Sequence, residues 1–133
     1  MFADGHRIAR QPITNYLSHF IMLNFLKKLF GSGESNNLPE MLAQGAVIID
    51  VRSRQEFNSG HPKGAQNVPL QELDRHLLKI VNQKKAVITC CVSGRRSGIA
   101  AQQLRAAGVQ AVNGGPWQTV ASAVKKQQST VAA

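Results

Sequence analysis

Apolar residues fall into short blocks that alternate between continuous runs and helical spacing. Ala46-Val47-Ile48-Ile49-Asp50-Val51 is an unbroken run, the pattern of a strand buried on both faces. Ala86-Val87-Ile88-Thr89-Cys90-Cys91 is a second such run, rich in β-branched residues. Between them, Leu70, Leu73, Leu77 and Ile80 or Val81 recur at the spacing of an amphipathic helix. Ile99, Ala100, Gln103, Leu104 and Ala107 do the same after the second run, until Gly108 supplies a stop. Asn37 is placed to cap a short helix over 38–44, and Ser53 with Glu56 has capping-box spacing for another through Phe57. The cluster from Gly60 to Gly64 reads as a turn, followed by a brief extended piece at Asn67-Val68. Gln110-Ala111-Val112 predicts a last short strand, and Gly114-Gly115-Pro116 a turn into a helix carrying Trp117, Val120, Ala121 and Val124. The alternation predicts an α/β fold: a small, mainly parallel β-sheet flanked by helices on both faces.

Three regions follow from the same pattern. Residues 37–125 form the domain, and 126–133 read as a polar, flexible tail. Residues 1–36 are an N-terminal extension in which Tyr16–Phe30 is dense in apolar side chains and Gly31–Asn37 is a flexible linker. At fifteen residues, broken by His19, Asn24, Lys27 and Lys28, the apolar stretch is too short to span a bilayer. It also lacks the small-residue cleavage pattern of a signal peptide. Two readings of it stand: an amphipathic segment on a membrane surface or protein partner, or a helix packed on the domain.

Charge changes this picture little. The chain of 133 residues carries a formal net charge of +9, and residues 41–133 hold twelve Lys/Arg against four Asp/Glu. The basic residues are scattered and aromatic side chains are only 5%, too few for stacking platforms, so nucleic acid is not the expected partner. A basic surface that draws in small anions explains the charge more simply. The two cysteines, Cys90 and Cys91, are adjacent, and a bridge between neighbours is strained, so a reducing, cytoplasmic setting is the default expectation. With no CxxC pair and four scattered histidines (His6, His19, His61, His76), neither a metal site nor a cofactor is expected.

The candidate chemistry lies in Cys91-Val92-Ser93-Gly94-Arg95-Arg96-Ser97, where the second strand gives way to a helix. In parallel sheets, sites form at the carboxyl ends of strands, where helix N-termini also point. A free thiol titrates near ~8.5, and lowering it two units needs ~2.7 kcal/mol of preference for the anion. A helix N-terminus usually gives ~0.3–1 kcal/mol, so turn N–H groups and Arg95 or Arg96 are expected to supply the remainder. Cys90, still inside the strand, reads as a small buried hydrophobe.

Two stretches resemble the rhodanese-like family of single-domain sulfurtransferases. The first is Asp50-Val51-Arg52-Ser53-Arg54-Gln55-Glu56-Phe57 with Gly60-His61 and Gly64-Ala65-Gln66-Asn67-Val68-Pro69, departing from the family pattern only at Pro62, where an aliphatic residue is usual. The second is the Cys91–Ser97 loop, similar to the family's C-x-x-G-x-[RS]-S; with Gly114-Gly115 and Trp117 the likeness covers roughly 37–122. The resemblance implies that Cys91 takes a sulfane sulfur from an anionic donor such as thiosulfate, becomes a persulfide, and passes the sulfur to cyanide or a thiol. Loop N–H groups from Val92 to Ser97 would then cradle the outer sulfur, while Arg96 and Arg95 hold the donor. Asp50 is expected to pair with Arg52 or cap the next turn, Arg52 and Glu56 to form a structural pair, and His61 to stabilise its turn. Two alternatives stand beside this reading. One is a catalytically silent binding module. The other is a cysteine phosphatase built on Cys90 and Arg96, whose C-x5-R spacing is present but whose glycine falls one place late.

Overall fold

The structure, a computed structural model, describes residues 37–132. The apolar stretch 16–30 and the linker residues before Asn37 lie outside the described residues. Four strands form one parallel sheet in the order β2-β1-β3-β4: β1 Val47–Asp50, β2 Gln66–Asn67, β3 Val87–Cys91 and β4 Ala111–Pro116. Helices α1 Leu38–Ala43, α2 Arg54–Asn58, α3 Leu73–Asn82, α4 Arg95–Ala106 and α5 Trp117–Ala132 connect and flank them. A 3-10 turn at Leu70–Glu72 leads into α3.

Side chains alternate across a strand, so each buried run serves two layers. Ile49, Val51, Val87 and Ala111 pack with Leu73 and Ile80 of α3 and with Ala100, Ala101 and Leu104 of α4. Ile48, Ile88 and Val112 are buried as well, outside that cluster, as are Leu38 and Met41 of α1 and Val120, Ala123 and Val124 of α5. Beta-strand β3 is buried along its whole length, as its apolar run predicts.

Two elements outrun their sequence signals. Beta-strand β4 continues through Gly114-Gly115-Pro116, which were expected to turn. Gly114 makes this possible: a Cβ there would lie 2.6 Å from Val120 Cγ2 and 2.8 Å from both Ile88 Cγ2 and the Thr89 carbonyl oxygen. Only a bare backbone fits where β4 crosses β3 and α5. Helix α5 in turn runs to Ala132, through residues expected to be a tail. Lys, Gln and Ala are good helix formers, and Gln127, Thr130 and Val131 line a groove with Pro39, Glu40 and Ala43 of α1, so the last turns have a neighbour. Among the described residues, no helix is long and apolar enough to cross a membrane.

Candidate active site

The carboxyl ends of β1 and β3 lie side by side, with Asp50 paired to Cys90 in register. Beyond them the chain from Cys91 curls over its own sulfur before entering α4. Gly94 is the pivot, with φ +95°, a left-handed conformation that L side chains rarely adopt. This conformation lets the Gly94 N–H donate to Cys91 Sγ at 3.0 Å. The Ser97 N–H reaches the same sulfur at 3.4 Å and the Ser97 hydroxyl lies 3.2 Å from it.

Both cysteines are buried, Cys90 at 0% exposure and Cys91 at 1%. Burial therefore does not distinguish them, although reactive cysteines ordinarily sit partly exposed. Their partners do distinguish them. Burial, and after it the charge of Asp50, pushes the Cys90 thiol far up. Burial also pushes Cys91 up, but hydrogen bonds from the Ser97 hydroxyl and from the Ser97, Gly94 and Ser93 N–H groups outweigh it and leave the thiol below its ordinary value. Successive residues of a strand point to opposite faces, so the loop donors serve Cys91 alone. The phosphatase arrangement on Cys90 lacks that support. The expected outcome is that iodoacetamide alkylates Cys91 with a pH midpoint below the ~8.5 of a free thiol, while Cys90 stays unreactive. Peptide mass mapping across pH reads both, and a Cys91 midpoint at or above 8.5 would remove the case for a nucleophile.

The arginines are placed otherwise than the sequence suggests. Both terminal nitrogens of Arg96 bond the Glu56 carboxylate, at 2.9 and 3.0 Å, while its charge still interacts with Cys91. Arg95 is exposed on the first turn of α4. The leading contributions that lower Cys91 are thus hydrogen bonds, and the expected arginine contribution is not among them. A guanidinium already neutralised by a carboxylate offers a thiolate little net field.

Glu56 was also expected to pair with Arg52, and that is corrected too. Arg52 is buried and turns to Asp50, with Nε and Nη2 at 2.6–3.1 Å from the carboxylate oxygens. Asp50 Oδ1 also accepts the Arg52 backbone N–H at 3.1 Å, so the aspartate both pairs and caps. What Arg52 takes from Glu56 is the main-chain carbonyl, at 3.2 Å. Its guanidinium also donates to the Gly60 carbonyl at 2.6 Å and lies over the Trp117 ring, 4.9 Å from the guanidinium carbon to the ring centroid. His61 stacks on Phe57 at 3.7 Å and bonds the Phe57 carbonyl through Nδ1, which ties its turn to α2.

The capping box at Ser53 and Glu56 is present in both directions, so Glu56 serves helix and loop together. Arg96 first, then the Ser53 backbone, hold its carboxyl at about 2. Its folded value lies below the unfolded one of ~4.3, so its stabilisation is complete above that pH and is lost as pH falls toward 2. Glu56→Gln should flatten stability against pH in that window, measured by urea unfolding from pH 5 to 2.5.

One polar residue in the site has no counterpart in the sequence reading. Asn113 of β4 accepts the Ser97 hydroxyl at Oδ1, at 2.7 Å, and the Gly115 N–H at 2.9 Å. Its Nδ2 donates to the Gly94 carbonyl at 2.9 Å. An asparagine before a glycine pair reads as turn chemistry, so nothing in the sequence signals this role. Thr89 completes the set by donating to the Ser97 carbonyl at 2.7 Å. Among the described residues no cluster of His, Cys, Asp and Glu could hold a metal ion.

Comparison with known proteins identifies the family and fold that carry this site. A family model for the rhodanese-like domain matches residues 35–116. The chain is 45% identical over 60 residues to the uncharacterized protein YqhL of Bacillus subtilis, covering 45% of this chain and 47% of that protein. It is 41% identical over 76 residues to the uncharacterized protein slr1261 of Synechocystis, covering 56% and 42% respectively. The chain thus spans less than half the length of these curated relatives. Among solved structures it is similar to a rhodanese with anions from E. coli, at TM-score 0.52 and 30% identity over 56% of this chain and 91% of that one. A rhodanese-like domain protein from Staphylococcus aureus superposes with TM-score 0.55 at 25% identity, over 65% and 86%.

Proposed function

The chain belongs to the rhodanese-like domain family, and from that premise we propose that it is a sulfurtransferase working through a persulfide on Cys91. The observation that carries this reading is the set of groups converging on one sulfur: the Gly94 and Ser97 N–H donors, with the Ser97 hydroxyl 3.2 Å away and able to donate once the sulfur is ionised. Such donors stabilise a thiolate and, after transfer, the anionic outer sulfur, without a full positive charge beside it. In the first step the Cys91 thiolate attacks the sulfane sulfur of a donor such as thiosulfate. A new S–S bond forms, the donor's S–S bond breaks, and sulfite leaves with the bonding pair. In the second, cyanide or a thiolate attacks the outer sulfur and Cys91 departs as thiolate. Charge and electrons balance at each step, and no cofactor is required.

A silent binding module is the second reading, and one observation favours it. Cys91 is 1% exposed, and the loop's Arg96 is committed to Glu56. Under the sulfurtransferase reading a donor has to reach this buried sulfur from the side of the loop, whose Val92 and Ser93 are exposed. Intact-mass measurement after incubation with thiosulfate tests this. The expected result is a gain of one sulfur per chain, discharged by cyanide with formation of thiocyanate; an unchanged mass would leave the binding module.

A further inference from the structure

The Ser97 hydroxyl has one hydrogen and two neighbours that can use it. Asn113 Oδ1 lies 2.7 Å away and Cys91 Sγ 3.2 Å away. The Asn113 amide cannot turn over to relieve this competition. Its nitrogen faces the Gly94 carbonyl and its oxygen faces the Gly115 N–H, so a flip would oppose donor to donor and acceptor to acceptor. Gly98 closes the space behind it: a Cβ there would stand 3.1 Å from Asn113 Nδ2. Asn113 Oδ1 is therefore a fixed acceptor aimed at Ser97.

Two hydrogen arrangements satisfy these distances. With Cys91 protonated, its S–H donates to Ser97 Oγ and the Ser97 O–H donates to Asn113 Oδ1, a continuous chain. With Cys91 ionised, no hydrogen lies between Sγ and Oγ in that arrangement. The Ser97 O–H must swing to the sulfur, and Asn113 Oδ1 keeps only the Gly115 N–H. We propose that Asn113 is a positioning residue for Cys91, holding the Ser97 hydrogen while Cys91 is a thiol and yielding it to the thiolate. Asn113 thereby restrains ionisation of the resting enzyme, and the hydroxyl returns to it once the negative charge has moved to the outer sulfur of a persulfide. The last step rests on the sulfurtransferase reading; the competition for the hydrogen does not.

The other titratable or charged groups near Cys91 are Cys90 on its own strand and Arg96 on α4, the latter paired with Glu56 of α2. The Asp50–Arg52 pair lies at the end of β1, against Cys90. None of these is altered in the test, which is the pH profile of Cys91 alkylation in wild type, Asn113→Ala, Ser97→Ala and the double variant, with thermal unfolding as the folding control. Asn113→Ala is expected to lower the midpoint by about 0.5–1 unit, a 3- to 10-fold higher rate on the rising limb. Ser97→Ala raises it, and adding Asn113→Ala to Ser97→Ala changes nothing further. If Asn113 served only to clamp Gly94, its removal would loosen the Gly94 N–H and raise the midpoint. A rise, no shift, or an equal shift in the Ser97→Ala background overturns the proposal. Alkylation is read without any sulfur donor, so failure of persulfide loading leaves this result interpretable, and the reverse.

Discussion

Cys91→Ser is expected to abolish sulfur loading from thiosulfate, while Cys90→Ser, like the wild type, is expected to gain one sulfur per chain. The two positions are neighbours with equal burial, so the contrast tests partners and not exposure. A serine hydroxyl at 91 titrates far above any working pH and cannot become the attacking anion. At 90 the sulfur faces away from the loop and borders Asp50, which offers a replacement hydroxyl an acceptor. The cost of that substitution is one of stability, about 1–3 kcal/mol at most. Intact mass and thiocyanate production distinguish the cases. Loading that survived in Cys91→Ser and vanished in Cys90→Ser would transfer the nucleophile and restore the phosphatase spacing to consideration.

Asp50→Ala should be the most damaging substitution for the fold outside the sheet core. The pair it breaks is buried at both ends, with 4% and 0% of the side chains exposed. Removing the carboxylate strands the Arg52 guanidinium in a dry site, and stranding a buried charge costs about 3–5 kcal/mol. The Gly60 and Glu56 carbonyls still accept from Arg52, which places the expectation at the lower end. Against a total of ~5–15 kcal/mol, that is a large share. Urea unfolding with a constant m-value measures it, and a loss below ~1 kcal/mol would show that the carbonyls suffice for Arg52 alone. The effect reaches the loop, because Arg52 joins the end of β1 to α2 and Trp117.

Strand runs, the capping box and the position of the loop were all legible in the sequence, because each depends on residues a few places apart. Asp50 with Arg52 was legible for the same reason. Glu56 with Arg96 was not, since forty residues separate the partners and either could find a nearer one. The leading causes that lower the thiol are hydrogen bonds, while Arg96, which interacts with the Cys91 charge, is shared with Glu56. Charge can be counted along a chain, but its net field depends on which counter-charge the fold brings to it. Asn113 was invisible for a different reason: its neighbours Gly114 and Gly115 carry a turn signature that the strand overrides. Its contacts cross from β4 to the loop and exist only once β3 and β4 have paired. The end of α5 depended likewise on α1, at the opposite end of the described chain.

Cys90 and Cys91 are the protein's two thiols, and the strand turns them to opposite sides of the sheet. Joining them would require undoing the carboxyl end of β3 and straining the bond between neighbours, so within this chain oxidation of the loop sulfur to a sulfenic acid finds no resolving cysteine. Rescue has to come from a small thiol or a second protein entering at the loop. Under the proposed sulfurtransferase function, the route that reverses oxidative damage is the route by which sulfur would be handed on, and an obstruction there would cost both turnover and repair.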